Sequence, residues 1–304
     1  MNTVNWSGLI AATFTPMRDS GELNVPAISP IVNRLVQEGV SGLYVCGGTG
    51  EGTSLTNNER MIVAEAYIKA ANGKVPVFIH VGQDSLFAAR ELAKHALAIG
   101  ADGISAMTPN YFKPNSTRAL VDSLKVIIEG APDLPFIYYH FPAKSMLQLN
   151  LEEFVEMASI QLPSMYAIKF TDPRLHDLQS ILHVSSDKIK IFFGTDEMLL
   201  AGLSSGASGA IGSTYNFALP LYLKLIEAWK GNDLVKARYL QSLSVTMVKT
   251  FAPFGGIEGQ KAIMGLIGLE CGPTRLPLNI LSISEVDRLK QQLEDIGFFR
   301  WARS

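Results

Sequence analysis

The segment Tyr166-Ala167-Ile168-Lys169-Phe170-Thr171-Asp172 is the point from which the rest of this sequence is best interpreted. It is a short apolar run that carries one lysine and ends at a polar turn, a pattern that predicts a buried strand. Because burial disfavours the charged form of an amine, we expect the pKa of Lys169 to fall below its usual value of about 10.4. A neutral lysine can attack a carbonyl carbon and form a Schiff base. A lysine at a strand end can also extend to solvent, so this segment alone leaves both roles open.

The composition predicts one large, well-packed protein. Of the 304 residues, 47% are hydrophobic and 18% are charged, which supplies a substantial core and little material for a disordered tail. The net charge is −2, from 26 basic and 28 acidic residues, and there is no basic block, so a nucleic-acid partner is not expected. No apolar run approaches the roughly 18 residues that a membrane span requires. We therefore expect a single domain over residues 1–304, with no membrane partner.

The N-terminus and the cysteines favour a cytoplasmic location. Residues 1–6 lack the basic segment followed by an apolar one that is typical of a signal peptide. Cys46 and Cys271 are too few for a disulfide framework and too far apart for a zinc motif. The expectation is a soluble cytoplasmic protein.

Eight apolar, strand-like runs alternate with helical stretches along the chain. The runs are Leu9–Thr15, Gly42–Cys46, Val77–Val81, Gly103–Met107, Phe136–Tyr139, Tyr166–Lys169, Ile189–Phe193 and Ala207–Ile211. This alternation predicts an α/β fold, a (β/α)8 TIM barrel. An open doubly wound sheet is the alternative, because repetition does not by itself show closure.

Helix signals fill the intervals between these runs. Thr56-Asn57-Asn58-Glu59 is a capping box, Asp84-Ser85 and Asn150 with Glu153 are further helix starts, and Asp172 before Pro173 predicts an N-cap with proline at the first helical position. Beyond residue 217 the pattern is helical only. We predict a barrel over about residues 1–230 and a C-terminal helical appendage over about residues 231–304.

Active sites of such barrels lie at the carboxyl ends of the strands, where this sequence places a glycine-rich turn. The turn, Gly47–Gly52, lacks the Gly-Lys-Ser/Thr ending of a phosphate loop and the G-x-G-x-x-G of a dinucleotide fold, and Glu51 would repel a phosphate. Its backbone N–H groups, with the hydroxyl of Thr49, can instead bind a carboxylate. A tight turn that only needs glycines at positive φ explains the pattern equally well.

Other polar residues also follow strands. Tyr139 can transfer a proton to and from a reacting oxygen, or it can be a core tyrosine. Asp196 and Glu197 fit either the start of a helix, where acids complement the dipole, or a site for substrate hydroxyl groups. His140 is interpreted as a packed histidine. The remaining histidines, His80, His95, His176 and His183, have no metal-ligand spacing, so no metal site is expected.

With these residues in place, the chain resembles the dihydrodipicolinate synthase and N-acetylneuraminate lyase family of pyruvate-dependent class I aldolases, and the lyase branch more closely. The resemblance covers nearly the whole chain. The motifs that carry it are Tyr138-Tyr139-His140-Phe141-Pro142-Ala143, Ile168-Lys169-Phe170-Thr171-Asp172, Gly194-x-Asp196-Glu197-Met198-Leu199-Leu200 and Gly209-Ala210-Ile211-Gly212-Ser213-Thr214-Tyr215-Asn216.

The resemblance implies a barrel with C-terminal helices, a homotetramer, and a role for each matching residue. Lys169 would form the Schiff base with pyruvate, Tyr139 would transfer the proton, and Thr49 with the backbone at Gly48 would bind the pyruvate carboxylate. Tyr111 matches a tyrosine that some members lend to a neighbouring subunit. The sugar hydroxyls would be held by Thr171, Gly194, Asp196, Glu197 and Ser213.

The implied reaction is the reversible cleavage of N-acetylneuraminate to N-acetylmannosamine and pyruvate. The lysine–pyruvate imine serves as the electron sink, so neither a cofactor nor a metal is expected. The alternatives are another pyruvate-dependent member of the family, either a 2-keto-3-deoxy sugar acid aldolase or dihydrodipicolinate synthase. A more distant alternative is a non-catalytic regulator that binds a keto acid or a sugar.

Two positions depart from the family pattern. Gly48 stands where the family usually has serine or threonine, whose hydroxyl contacts the carboxylate and helps to relay the proton to the tyrosine. We expect water or a neighbouring hydroxyl to replace it. Lys144 stands where the synthases have arginine and the lyases an apolar residue; we expect its side chain to point to solvent rather than into the site.

Overall fold

A computed structural model describes residues 6–185 and 189–302 of the chain. Eight parallel strands form a closed barrel in sequence order, β1 (Gly8–Ala12), β2 (Gly42–Val45), β3 (Val77–His80), β4 (Gly103–Met107), β5 (Phe136–His140), β6 (Met165–Phe170), β7 (Lys190–Phe193) and β8 (Gly209–Gly212). Closure is made by pairing of β1 with β8, in register from Gly8 opposite Gly209 to Ala11 opposite Gly212. The (β/α)8 barrel is therefore confirmed, and the open sheet is wrong. Residues 1–5, part of the segment considered above for a signal peptide, lie outside the described residues.

Helices separate the strands and follow the last of them. They are α1 (Ile28–Gln37), α2 (Asn57–Ala71), α3 (Leu86–Ala98), α4 (Thr117–Ile128), α5 (Pro142–Ser145), α6 (Leu151–Gln161), α7 (Leu175–Ser185), α8 (Leu199–Ser204), α9 (Tyr215–Lys230), α10 (Leu234–Phe251), α11 (Gly256–Leu266), α12 (Ile283–Asp295) and α13 (Phe298–Trp301), with short 3-10 turns at Val25–Ala27, Gly52–Ser54, Asp196–Met198 and Ala252–Phe254. No helix in the described ranges combines the length and the apolar character needed to cross a bilayer.

The predicted helix starts form as their side chains require. Thr56 accepts from the backbone N–H of Glu59 while the Glu59 carboxylate accepts from that of Thr56, a complete capping box for α2. Ser85 and Asn150 cap α3 and α6 through the same N-cap contact. Local side-chain chemistry therefore fixes where these three helices begin.

The predicted cap at Asp172 is wrong. Helix α7 begins at Leu175 rather than at Pro173. The Asp172 carboxylate accepts from the backbone N–H of Arg174 at 2.9 Å and pairs with the Arg174 guanidinium at 2.7 Å. The Asp172 carboxylate and Arg174 thus close a local turn over residues 172–174, which precedes the helix.

The first strand is shorter than predicted. It ends at Ala12 rather than Thr15, because the chain leaves the barrel towards the glycine turn, where the Thr15 hydroxyl donates to the carbonyl of Gly50 at 2.6 Å. This contact joins the β1 loop to the turn that follows β2.

The amino-terminal half of the barrel interior is filled by apolar side chains. These inward-facing residues are Ile10, Ala12, Tyr44, Phe78, Ile137, Ala167, Phe192 and Ile211. Trp6 packs edge-on against Phe78 and Tyr166, and its backbone N–H donates to the Tyr166 hydroxyl at 2.9 Å. The carboxyl half is not filled in this way, and a cavity opens there.

Candidate active site

A cavity of about 700 Å³ opens at the carboxyl ends of the strands. Its wall includes the residues predicted from the strand ends, namely Gly48, Thr49, Tyr139, Lys169, Thr171, Gly194, Asp196, Glu197 and Ser213. Helices of the C-terminal appendage complete the wall through Phe251, Ile257 and Gln260. Of these residues, Gly48 and Gln260 are the furthest apart in the sequence, by 212 positions, and they line the same pocket.

Lys169 lies on β6 directly opposite Tyr139 on β5. Its side chain is 5% exposed, and its Nζ lies 4.2 Å from the centre of the Tyr139 ring and 4.5 Å from that of the Tyr44 ring. Burial lowers the pKa of Lys169 to about 7, and the negative charge of Asp196 opposes this shift. Near neutral pH a substantial fraction of this amine is therefore unprotonated and nucleophilic.

Tyr44 is a residue that the sequence analysis did not single out. Its hydroxyl and the Ser105 Oγ share a hydrogen bond of 2.7 Å, which holds the ring beneath Lys169. A Cβ on Gly47 would lie 2.6 Å from this ring, so the glycine allows the close approach. The alternation of side chains along β2 places Tyr44 on the inner face of the barrel, and that signal is present in the sequence.

Tyr139 presents a protonated phenol to the cavity. Burial raises the pKa of Tyr139 above its ordinary value, and the Asp196 carboxylate contributes to the same shift. Its ring stacks on Phe141 at 5.7 Å. A cation formed at Lys169 would lie against this ring and favour its phenolate, which couples the protonation of the two groups.

The glycine turn is shaped by close approach rather than by positive φ at its glycines. The left-handed residues are Cys46 (φ 61°) and Glu51 (φ 53°), so the prediction of positive-φ glycines in the turn is wrong. Gly52 is required for a different reason, since a Cβ there would overlap the carbonyl of Cys46. At Gly48 an added Cβ would have no neighbour within 4 Å among the described residues.

Asp196 is held by the loop after β8. Its Oδ2 accepts from the backbone N–H of Thr214 at 2.9 Å and from the Thr214 hydroxyl at 2.6 Å. Tyr222 and Ser244 extend the chain of hydroxyls, at 2.7 Å from Thr214 Oγ1 to the Tyr222 hydroxyl and 2.8 Å from there to Ser244 Oγ. A Cβ on Gly212 would overlap the carboxylate. Asp196 does begin the short 3-10 turn Asp196–Met198, as the sequence allowed, but its side chain bonds across to the loop after β8.

Glu197 differs from its neighbour. It lies half-buried on the cavity wall, and burial raises the pKa of its carboxyl group. In the described part of the chain no other side chain bonds to it, so it is the freer acceptor of the pair. Opposite, Gly194 packs against Thr171, where a Cβ would overlap the threonine Oγ1.

Tyr111, which the resemblance assigns to the substrate site of a neighbouring subunit, is not on the wall of this chain's own cavity. Its side chain is 79% exposed and packs edge-on against Phe112, which is 84% exposed. Its neighbour Asn110 lines the cavity instead. Within one chain, Tyr111 therefore belongs to the surface beside the pocket and not to the pocket.

Lys144, in the short helix α5, lies at the rim of the cavity. Its side chain is exposed, as expected, yet it forms part of the cavity wall. The expectation that it points away from the site is therefore corrected, since an anionic group in the cavity mouth would lie within its reach.

Two histidines are buried near the site. His80, which the sequence analysis considered only as a metal ligand, lines the cavity, and burial with the charge of Arg60 holds its pKa well below the usual value. Burial lowers the pKa of His140 to about 4, and its Nε2 lies 3.7 Å from Asp172. In residues 6–185 and 189–302 no group of three or more His, Cys, Asp or Glu side chains is placed to hold a metal.

The chain is similar to known proteins over almost its full length. Residues 5–296 match the model of the dihydrodipicolinate synthetase family. The chain is 38% identical to an N-acetylneuraminate lyase of Rattus norvegicus over 296 residues, covering 96% of this chain and 92% of that one.

Two solved structures show the same fold. That of the Proteus mirabilis N-acetylneuraminate lyase superimposes with a TM-score of 0.94 at 35% identity, covering 97% of this chain and all of that one. That of a dihydrodipicolinate synthase from Aquifex aeolicus superimposes with a TM-score of 0.88 at 26% identity, covering 96% and 98%.

Proposed function

Because the chain belongs to the dihydrodipicolinate synthetase family, we propose that it is a class I aldolase that cleaves N-acetylneuraminate reversibly to N-acetylmannosamine and pyruvate. The observation that carries the proposal is Lys169, a buried lysine with a pKa of about 7 between two tyrosine rings in a 700 Å³ cavity. Such an amine is partly neutral at physiological pH, which covalent attack on a ketone requires.

The first step joins Lys169 to the substrate. The neutral Nζ adds to the C2 ketone of the sugar acid. The carbinolamine then loses its hydroxyl as water with the proton of the Tyr139 phenol, which leaves a protonated imine beside a Tyr139 phenolate. Thr49 and the backbone N–H groups of the glycine turn hold the adjacent carboxylate. The lysine–substrate imine is the proposed electron sink, and no separate cofactor takes part.

The second step breaks the C3–C4 bond. Tyr139 accepts the proton of the C4 hydroxyl, the C4–O electrons form the aldehyde carbonyl, and the C3–C4 electron pair passes into the iminium to give an enamine. N-Acetylmannosamine leaves, the enamine is protonated at C3, and water releases pyruvate from Lys169. The iminium charge against the Tyr139 ring favours the phenolate form that this transfer needs.

The hydroxyl-rich end of the substrate fits the part of the cavity wall that contains the Glu197 and Asp196 carboxylates. Glu197 is the freer carboxylate there, and Thr171, Ser213 and the backbone at Gly194 line the same wall. Asp196, held by Thr214, contributes a fixed negative charge. Carboxylates and hydroxyls in this density suit a chain of substrate hydroxyls.

The test is the intact mass of the protein after borohydride treatment in the presence of pyruvate. We expect a pyruvate-derived adduct on the wild type and none on Lys169→Ala. An assay with N-acetylneuraminate, in which the release of N-acetylmannosamine is measured, then identifies the aldehyde partner of the reaction. Absence of the adduct on both proteins would contradict the aldolase proposal and support the non-catalytic binding protein.

A second candidate is supported by Lys144 at the cavity rim. A cation there favours an aldehyde that carries a carboxylate, as for a 2-keto-3-deoxy sugar acid aldolase or dihydrodipicolinate synthase. The nearby Asp196 and Glu197 carboxylates oppose an anionic acceptor, so N-acetylneuraminate remains the first proposal. Lys144→Leu should leave the cleavage of N-acetylneuraminate intact. If the variant loses that activity and the wild type accepts an anionic aldehyde, the second candidate function would be preferred to the first.

The proposal includes a homotetramer in the cytoplasm. Tyr111 and Phe112, exposed beside the cavity mouth, support an interface between subunits that would bring Tyr111 to a neighbouring site. The cytoplasmic location is supported by Cys46 and Cys271, both buried as free thiols, as is typical of reducing compartments.

A further inference from the structure

Arg60, in the first turn of α2, is a buried cation that has no counter-ion in the described ranges. It is 3% exposed, and none of the ion pairs among the described residues includes it. Its Nη2 donates to the carbonyl of His80 at 2.6 Å, its Nη1 to that of Gly82 at 3.2 Å, and its Nε has no described partner. Burial of an uncompensated charge is costly, and a cation at a helix N-terminus also opposes the dipole. A neutral donor could make the two hydrogen bonds to the carbonyls, so they do not by themselves explain why a charged guanidinium is buried here.

Arg60 lies directly behind the wall of the cavity. His80, whose carbonyl it binds, lines the cavity, and so does Cys46, whose thiol lies 3.8 Å from the Arg60 carbonyl. The charge of Arg60 also acts on Tyr44, the ring beneath Lys169. Its field therefore reaches the residues that surround the glycine turn and the reactive amine.

The charges on the cavity wall explain why such a field is needed. Asp196 and Glu197 are acids, while Glu51 is already paired with Lys261 at 2.6 Å. Lys169 is partly neutral near pH 7 and so supplies only part of a positive charge. The other cation of the described wall, Lys144, is exposed at the rim, so a keto-acid carboxylate at the glycine turn would meet little positive charge without Arg60.

We propose that Arg60, without touching the substrate, supplies the positive potential that draws the carboxylate of a 2-keto acid to the glycine turn. This makes it a positioning residue that selects anionic over neutral carbonyl compounds. The inference rests on the aldolase proposed above, since it concerns the same site.

The test compares two ligands of similar shape, pyruvate and its neutral amide, pyruvamide. Half-saturation for borohydride trapping is measured by intact mass for the wild type, Arg60→Gln, Arg60→Lys and Arg275→Met. Arg60→Gln keeps a donor for the His80 carbonyl and removes the charge. Arg275→Met is the matched control, because it removes a guanidinium that is already paired with Glu59 at 2.8 Å.

We expect Arg60→Gln to raise the half-saturation concentration for pyruvate by on the order of tenfold, as for one charge acting over roughly 10 Å at an effective dielectric constant of about 20. The value for pyruvamide should change little, Arg60→Lys should recover most of the preference, and the control should keep it. If Arg60→Gln does not fold, Arg60→Met carries the same comparison.

Two results would overturn the proposal in distinguishable ways. If Arg60→Gln raises the half-saturation concentrations for pyruvate and pyruvamide equally, or leaves their ratio unchanged, Arg60 has only a structural role. The aldolase proposal would not be affected by that result. Absence of any adduct on the wild type would overturn the aldolase and this inference together.

Discussion

Two opposing effects act on the amine of Lys169, and both come from identified neighbours. Burial lowers its pKa to about 7, and the Asp196 carboxylate works against the shift. Asp196 can do so because Thr214 holds it in place with two hydrogen bonds. The reactivity of the lysine is therefore set in part by the loop after β8, two strands away from the strand that carries it.

This balance predicts the pH dependence of imine formation. The rate should rise with pH to half its maximum near 7, because the neutral amine is the nucleophile. Asp196→Asn removes the charge that raises the pKa of Lys169, so its midpoint should move to lower pH. Cyanoborohydride trapping of pyruvate over a pH series measures both midpoints. Glu197→Gln is the control and should leave the midpoint in place; a wild-type midpoint near 10 would contradict the prediction.

Gly48 gives a second prediction at this scale. A Cβ there would meet nothing within 4 Å in the described structure, and the backbone is not at positive φ, so a side chain fits without strain. We expect Gly48→Ser to raise turnover by up to about tenfold, a part of the gain typical of a positioned proton-transfer group. Gly48→Ala fills the same space without a hydroxyl and should show no gain. Steady-state kcat is measured for the wild type and both variants. A kcat of Gly48→Ser equal to or lower than that of the wild type would show that a hydroxyl at this position does not help to relay the proton to Tyr139.

The sequence identifies the site residues that lie at strand ends. It does not identify the residues that support the site from within a strand or from the layer behind the cavity wall. Lys169 and Tyr139 are visible because each closes an apolar run. Tyr44 lies within a strand, and its role depends on a neighbouring strand that the local sequence does not identify. Arg60 reads as an ordinary charged residue in a helix, since nothing in the sequence shows that its side chain is buried.

The glycine turn and the C-terminal appendage are joined by a buried ion pair. Glu51, 3% exposed, lies 2.6 Å from the Nζ of Lys261 in α11 and accepts from the backbone N–H of Arg275 at 2.8 Å. Lys261 also donates to the carbonyl of Pro273 at 2.8 Å. An appendage outside the barrel thus fixes the position of a loop inside the site.

Removal of one member of this pair should be costly. We expect Lys261→Met to lower the free energy of unfolding by about 3–5 kcal/mol, since it leaves the Glu51 carboxylate buried without a counter-ion. Glu51→Gln combined with Lys261→Met should cost less than the two single changes together. Denaturant unfolding of the four proteins measures this coupling.

The pair between Glu59 and Arg275 is the matched control for that cycle. It joins the C-terminal appendage to α2, which follows the glycine turn, but both side chains are 22% exposed. Glu59→Gln with Arg275→Met should show a coupling of about 1 kcal/mol or less. Equal coupling in the two cycles would show that burial does not distinguish the pairs.

Elements were predictable where their signals are local. Capping boxes and strand-length apolar runs depend on residues within a few positions, and α2, α3 and α6 begin where those signals place them. The predicted start of α7 was wrong because Asp172 and Arg174 form a turn of their own, and the helix begins only after it, at Leu175. The link between Glu51 and Lys261 spans 210 positions, and a single sequence contains no signal for it.

For the whole molecule, the exposed pair Tyr111 and Phe112 predicts assembly. If it forms a subunit interface, Tyr111→Ala with Phe112→Ala should lower the mass measured by sedimentation velocity and reduce activity. Ile160→Ala is the control, because that residue is 82% exposed at the end of α6, on the amino-terminal side of the barrel. A wild type that sediments as a monomer would refute the homotetramer.

The cavity wall has a consequence for the order in which the protein becomes functional during synthesis. The barrel closes only when β8 pairs with β1, and the wall also needs Phe251, Ile257 and Leu278 from the end of the chain. A nascent chain therefore has no complete pocket until nearly all of it has left the ribosome. Substrate or pyruvate cannot assist the folding of the chain before then, so adding either should leave the yield of cell-free translation unchanged. Once the pocket is complete, a bound ligand should protect the folded protein against proteolysis.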